Sequence, residues 1–209
     1  FGSQVTKLIA RRTRDLGVYS EILTIKDLHK IKDFRGVKGI ILSGGPSTVT
    51  KKKYPKIPKQ VFLKKIPILG ICYGLQLLAK VFGGTVKSLK TKREFGRANI
   101  LKKKNSFLIK NFINFKTKKK VCMSHQDAIT KLPKGFRTIA STKESKFTII
   151  ENTLLKIYGV QFHPEVTHTD NGNELFKNFL FSICKIKKKW RVNSEIKRLI
   201  NEIKKTAKK

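Results

Sequence analysis

Cys72 is the residue of this chain best placed for nucleophilic chemistry. It lies in Pro67-Ile68-Leu69-Gly70-Ile71-Cys72-Tyr73-Gly74-Leu75-Gln76. A short apolar run stops at a cysteine flanked by small residues, and a helix-like run, Leu75 to Phe82, follows at once. This is the pattern of a strand, a sharp turn bearing a nucleophile, and a helix whose first N–H groups point at the sulfur. Such N–H groups favour the thiolate, so a lowered thiol pKa is expected. A buried structural cysteine is the bland alternative.

A cysteine nucleophile needs a base or imidazolium partner, and that histidine needs an acceptor to orient it. Gly159-Val160-Gln161-Phe162-His163-Pro164-Glu165 offers both at the end of an apolar strand, with Pro164 stiffening the turn. Without Cys72, His163 would read as a satisfied strand-end histidine and Glu165 as a solvated loop acid. A third segment, Ser43-Gly44-Gly45-Pro46, also ends an apolar strand. Glycines there let backbone N–H groups face a ligand, as an oxyanion hole requires. A plain turn is the alternative.

The elements that would position these residues follow from periodicity. Val5, Leu8, Ile9 and Leu16 share one helical face, and Gly17 fits the stop. Strands are expected at Tyr19–Ile25, Lys38–Leu42 and Pro67–Ile71, with helices at Asp27–Phe34, Ile57–Lys65 and Leu75–Phe82. Short apolar strands alternating with helices imply a parallel sheet covered on both faces. Open sheets of that kind place their sites at the carboxyl ends of the strands. The middle of the chain changes to strand and turn: Thr85–Leu89, Arg97–Lys102, Lys120–Met123, Phe136–Ser141, Phe147–Glu151 and Lys156–Gln161. A helix near Asn173–Cys184 follows. Asn193–Lys209 reads as a basic amphipathic helix that docks on another domain. The expected class is α/β: an open, mostly parallel twisted sheet with helices on both faces and a smaller antiparallel region. Such a sheet normally opens with a central strand, whereas this chain opens on the loop that should follow one, so the first strand is expected to be missing.

Length and composition suit one domain with a real core. Cys72, Cys122 and Cys184 are odd in number and widely spaced, giving neither a disulfide framework nor metal-ligand spacing. No metal is therefore expected, and a reducing cytoplasm is. No run is long enough to span a bilayer, so no membrane partner is expected. The chain holds 48 Lys+Arg against 13 Asp+Glu, a net charge of +35. The lysines are scattered over predicted loops and are not interleaved with aromatics. They read as a solvated surface that sticks weakly to polyanions, not as a specific nucleic-acid site.

In combination these motifs resemble the class I (triad) glutamine amidotransferases over roughly residues 1–190. Within that family they are most similar to the amidotransferase domain of GMP synthetase. The resemblance is carried by Phe1-Gly2-Ser3-Gln4 with Leu8-Ile9-Ala10-Arg11-Arg12 and Leu16-Gly17-Val18-Tyr19-Ser20-Glu21, by Arg93-Glu94-Phe95-Gly96-Arg97-Ala98, by Met123-Ser124-His125-Gln126-Asp127, and by Gly159 through Thr169. It implies a flavodoxin-like amidotransferase fold, with Cys72 as nucleophile, His163 as acid/base and Glu165 orienting it. Backbone N–H groups of Gly45 and Tyr73 would form the oxyanion hole. Gln76, Ser124, Gln126 and Asp127 would line a pocket for glutamine. The family more often has Gly at the position of Gln126, and if φ > 0 is needed there, Gln is strained.

The resemblance further implies residues 1–189 as the amidotransferase domain, and 190–209 as a linker helix toward an absent ATP-pyrophosphatase domain or subunit. No cofactor is expected in this chain; ATP and Mg2+ would belong to that synthetase, which aminates xanthosine monophosphate (XMP). The rival expectations are an amidotransferase for anthranilate, carbamoyl phosphate or CTP synthesis, and a catalytically idle polyanion-binding protein.

Overall fold

A computed structural model of the chain describes residues 1–51, 54–89, 93–188, 190, 200 and 204. Helix α1 (Thr6–Asp15) forms where the apolar spacing places it, with Ile9 and Ala10 buried. Arg12 and Arg14 lie in its last turn, where cations complement the helix dipole. Gly17 ends it at φ 80°. The strand expected at Tyr19–Ile25 does not form: this segment joins neither sheet. A stronger local signal takes its end. Thr24 and Asp27 make a capping box, which pulls Ile25 into helix α2 (Ile25–Lys30). The helix expected at Ile57–Lys65 shrinks to α3 (Gln60–Leu63). Pro58 disfavours helical backbone at Ile57, and Lys65 turns away at φ 50°.

Strands β1 (Ile40–Leu42) and β2 (Ile68–Ile71) precede helix α4 (Tyr73–Val81). Then come β3 (Thr85–Ser88), β4 (Glu94–Lys102), a 3₁₀ turn at Phe107–Ile109, β5 (Lys119–His125), β6 (Asp127–Lys131), β7 (Arg137–Ser141), β8 (Ile149–Asn152) and β9 (Ile157–Val160). Helix α5 (Gly172–Lys177) continues into wider π-type turns at Asn178–Ile183. Of the helix expected at Asn193–Lys209, only Ile200 and Lys204 fall among the described residues.

The seven-stranded sheet has the order β1-β2-β9-β8-β7-β4-β5, and β3 pairs with β6 in a separate ribbon. The fold is the expected α/β one, with β1, β2 and β9 parallel. The remaining neighbours in the sheet are antiparallel, so the antiparallel part is more extensive than a small appendage. Strands β2, β8 and β9 are buried along their whole length, as strands covered on both faces must be. Successive side chains separate cleanly. Leu69, Ile71, Tyr158 and Val160 pack with Ile9, Leu175, Phe176 and Phe179 from α1, α5 and the π-type turns. Ile68 and Ile157 pack on the other face with Tyr73, Leu77 and Leu78 of α4. Among the described residues no helix is long and apolar enough to cross a membrane.

Two glycines let α4 start directly on the sheet. A Cβ at Gly70 would lie 2.6 Å from the Leu75 nitrogen, and one at Gly74 would strike the Leu42 carbonyl. Gly74→Ala is expected to destabilise the chain by about 2 kcal/mol through overpacking. Urea unfolding measures this, and an unchanged midpoint would contradict the packing described.

Candidate active site

The turn after β2 is built around an uncommon backbone. Cys72 sits at φ 51° and ψ −107°, where side chains are rarely found. Two hydrogen bonds hold it there. Its N–H donates to the Val160 carbonyl at 2.8 Å, and its carbonyl accepts from the Gln76 N–H at 3.1 Å. The sulfur therefore stands at the N-terminus of α4. The thiol donates to the Ser124 carbonyl at 3.7 Å, and Gln161 Nε2 donates to the sulfur at 3.8 Å.

Strand β9 delivers the partner. Ile71 is opposite Val160 in the parallel ladder, so the chain leaves both strands at the same edge. His163 Nδ1 is hydrogen-bonded to Glu165 Oε1 at 2.7 Å, and the ring lies close enough to Cys72 for the thiol to raise its pKa. The end of β1 closes the third side: a Cβ at Gly44 would lie 3.1 Å from His163 Cε1 and 3.8 Å from Cys72 Cβ. The structure thus brings Cys72, His163 and Glu165 together, with the histidine hydrogen-bonded to the glutamate and electrostatically coupled to the thiol.

The surroundings of His163 pull its pKa in opposite directions. Burial lowers it. Its interactions with Cys72 and Glu165 raise it to about 10. Glu165 is completely buried, and its second oxygen has no hydrogen-bond partner among the described residues. Its backbone carbonyl accepts from Arg12 Nε at 3.2 Å. The loop carrying His163 is pinned to β5. The His163 N–H donates to the Cys122 carbonyl at 3.0 Å, and Thr169 Oγ1 donates to the His163 carbonyl at 2.7 Å while accepting from the Cys122 N–H at 2.9 Å.

The other expected site residues are placed less uniformly. Gln76 is buried, and its Nε2 donates to the Asp127 carbonyl at 2.7 Å and to Gln161 Oε1 at 3.4 Å. The Asp127 carboxylate accepts from the Thr48 hydroxyl. Ser124 and Gln126 are exposed. Gln126 is not among the residues at positive φ, so the strain considered for it does not arise. The Tyr73 N–H is the first of α4 and has no acceptor in a preceding turn. Gly45 packs against Phe1: a Cβ there would lie 2.6 Å from the Phe1 carbonyl oxygen. Among the described residues, neither Gly45 nor Gln126 has a hydrogen bond to the triad. Cys184 takes the bland role, its thiol pushed up to about 12 by burial. No cluster among the described residues is suited to a metal ion.

Sequence reasoning missed two residues that touch this constellation. Gln161 reaches the sulfur and Thr169 clamps the histidine loop. Both lie within the Gly159–Thr169 stretch, but neither has a side chain that signals chemistry by itself.

The arrangement has a direct consequence for pH dependence. His163 is raised above its ordinary 6.5 in the folded state. Its protonation therefore stabilises the fold fully below about pH 6.5, and that contribution is lost as pH rises through about 10. Glu165→Gln removes one cause of the raised value, so the loss is expected at lower pH. Titration of the His163 ring by NMR in both proteins measures this, and identical curves would contradict it.

The family model for glutamine amidotransferase class-I matches residues 1–183. The chain is 46% identical over 207 residues to a GMP synthase [glutamine-hydrolyzing] of Brachyspira hyodysenteriae, covering 99% of this chain and 39% of that protein. It is 45% identical over 211 residues to the enzyme of the same name from Mesoplasma florum, covering 100% of this chain and 40% of that one. It thus spans about two-fifths of the length of these relatives. Among solved structures, a candidate GMP synthase subunit of Thermoplasma acidophilum superposes with a TM-score of 0.71 at 29% identity, covering 94% of both chains. A glutamine amidotransferase of Thermotoga maritima gives 0.65 at 22% identity over 90% of this chain and 84% of that one, a likeness of fold. With its cysteine elbow and histidine–glutamate pair in place, the chain belongs to the class I glutamine amidotransferase family.

Proposed function

We propose that this chain hydrolyses glutamine and supplies the ammonia for ATP-dependent amination of XMP to GMP. The observation that carries the reaction is the convergence of Cys72, on its elbow at the start of α4, with the hydrogen-bonded pair His163–Glu165. The acceptor is supported by the name of relatives that match nearly the whole chain.

The chemistry follows from the residues. The Cys72 thiolate attacks the side-chain amide carbon of glutamine, forming a C–S bond. Backbone N–H groups of Gly45 and Tyr73 receive the oxyanion, each worth about 3 kcal/mol of barrier by comparison with other such donors. As the C–N bond breaks, protonated His163 gives its proton to the departing nitrogen, and ammonia leaves. His163, now neutral, takes a proton from water, whose oxygen attacks the thioester. Glutamate departs, and the thiolate–imidazolium pair is restored. Glu165 keeps the ring oriented and offsets its positive charge. Gln76, Ser124, Gln126 and Asp127 line the glutamine pocket, largely through backbone groups.

Residues 1–189 are the amidotransferase domain in this reading. Residues 190–209 lead toward an ATP-pyrophosphatase domain or subunit, which would hold ATP and Mg2+ and act in the cytoplasm.

Cys72→Ala is expected to lower glutamate formation at least a thousandfold while leaving the far-UV circular dichroism unchanged. Wild-type rates in that variant would refute the nucleophile. The acceptor is tested separately, by mixing the chain with the synthetase portion of a relative, XMP, ATP, Mg2+ and glutamine. GMP formation is the expected result. Glutamate release with no GMP, even when ammonia added directly yields GMP, would point to an amidotransferase for another synthesis.

A further inference from the structure

A second histidine–carboxylate pair lies buried behind the first. Glu94 and His125 are directly opposite each other where β4 begins and β5 ends. They are 8% and 5% exposed. His125 Nε2 is 3.1 Å from Glu94 Oε2, and His125 Nδ1 is 3.0 Å from the Asp127 carbonyl oxygen. A carbonyl oxygen only accepts, so Nδ1 carries a proton. Nε2 and a carboxylate oxygen cannot join without a proton between them, so the pair holds one there as well. The other Glu94 oxygen accepts from Thr142 Oγ1 at 2.7 Å, and Thr142 Oγ1 in turn accepts from the Ser145 N–H at 2.8 Å. Each of these groups is buried and hydrogen-bonded on both sides.

This network ends on the backbone that faces Cys72. The Asp127 carbonyl that accepts from His125 Nδ1 also accepts from Gln76 Nε2 at 2.7 Å. The Ser124 carbonyl, one residue before His125, accepts from the Cys72 thiol. His125 therefore sits between the two carbonyls that meet the nucleophile and the α4 glutamine. We infer that Glu94 and His125 are positioning residues that set the 124–127 backbone for glutamine recognition. This rests on the reaction proposed above. Removing the carboxylate leaves an imidazole nitrogen and the Thr142 hydroxyl proton without partners in the interior, and the segment must rearrange to satisfy them. Apart from the long Cys72 thiol contact to Ser124, the triad is held by anchors outside this segment, on Val160, Cys122 and Arg12. The damage should therefore fall mainly on substrate binding and change the thiol little.

The test compares two reagents on the whole chain. Glu94→Ala is expected to raise KM for glutamine roughly tenfold or more, with kcat changed less than about threefold. Alkylation of Cys72 by iodoacetamide, which needs no glutamine pocket, should stay within about twofold. Glu94→Gln can accept from Thr142 and donate to a neutral imidazole, so it should restore KM to within about threefold of wild type. Unchanged KM in Glu94→Ala, or KM and alkylation failing together, would overturn the inference. If Glu94→Ala does not fold, the near-isosteric Thr142→Val takes one donor from Glu94 and should still raise KM; no rise would overturn it. A wild-type chain that forms no glutamate would refute the proposed reaction instead. The inference is then read from how well glutamine protects Cys72 against iodoacetamide. Glu94→Ala should weaken that protection, and equal protection in both proteins would overturn it.

Discussion

The site depends on one backbone conformation, that of Cys72. An L-residue at φ 51° and ψ −107° costs of order 1–3 kcal/mol and persists only where its surroundings leave no alternative. Here the surroundings are specific. The Cys72 N–H is tied to Val160, its carbonyl is tied into the first turn of α4, and glycines on either side let that helix touch β1 and β2. Relaxing the turn would swing the sulfur away from the helix N-terminus and out of the line to His163. The strain is thus coupled to the chemistry through geometry.

Register does the rest. Ile71 and Val160 are paired in the parallel ladder, so the nucleophile and the acid/base leave neighbouring strands at one edge. A slip of one residue would reverse every side chain on β9. Ile157 and Tyr158 would exchange faces between two distinct core clusters, an exchange the packing forbids. The apolar alternation of two short strands therefore specifies the distance between thiol and imidazole, although neither group contributes to that alternation.

Much of this was legible in the chain, and the failures have physical causes. The run Ile68–Ile71, the glycines around Cys72 and the helix beyond it agree at every level, and this part of the fold matches expectation. Gln161-Phe162-His163-Pro164-Glu165 likewise read as a strand end carrying a base and its acceptor. Tyr19–Ile25 has strand composition, but composition does not make a strand without a ladder to join, and the Thr24–Asp27 cap is a local bond that needs none. Strand β6 (Asp127–Lys131) went unseen because it pairs with β3 in a ribbon apart from the main sheet, a pairing its own residues do not announce. The network behind the pocket was hidden for a related reason. Glu94, His125 and Thr142 are brought together by sheet pairing, and nothing in their spacing announces it.

The same view accounts for the charge. Of the few acids in the chain, Glu94, Asp127, Glu151 and Glu165 are buried, each with a hydrogen-bond partner of its own. Glu94 meets His125, Asp127 meets Thr48, Glu151 meets Arg137 and Ser106, and Glu165 meets His163. A carboxylate in the interior is costly unless paired, so each of these positions is constrained by its neighbours. The other nine of the 13 acids are far outnumbered by the 48 Lys+Arg. Among the described residues no lysine is buried, so their positive charge lies where solvent reaches it. Salt should screen its attraction to polyanions while leaving the buried pairs, and the geometry around Cys72, nearly unaffected.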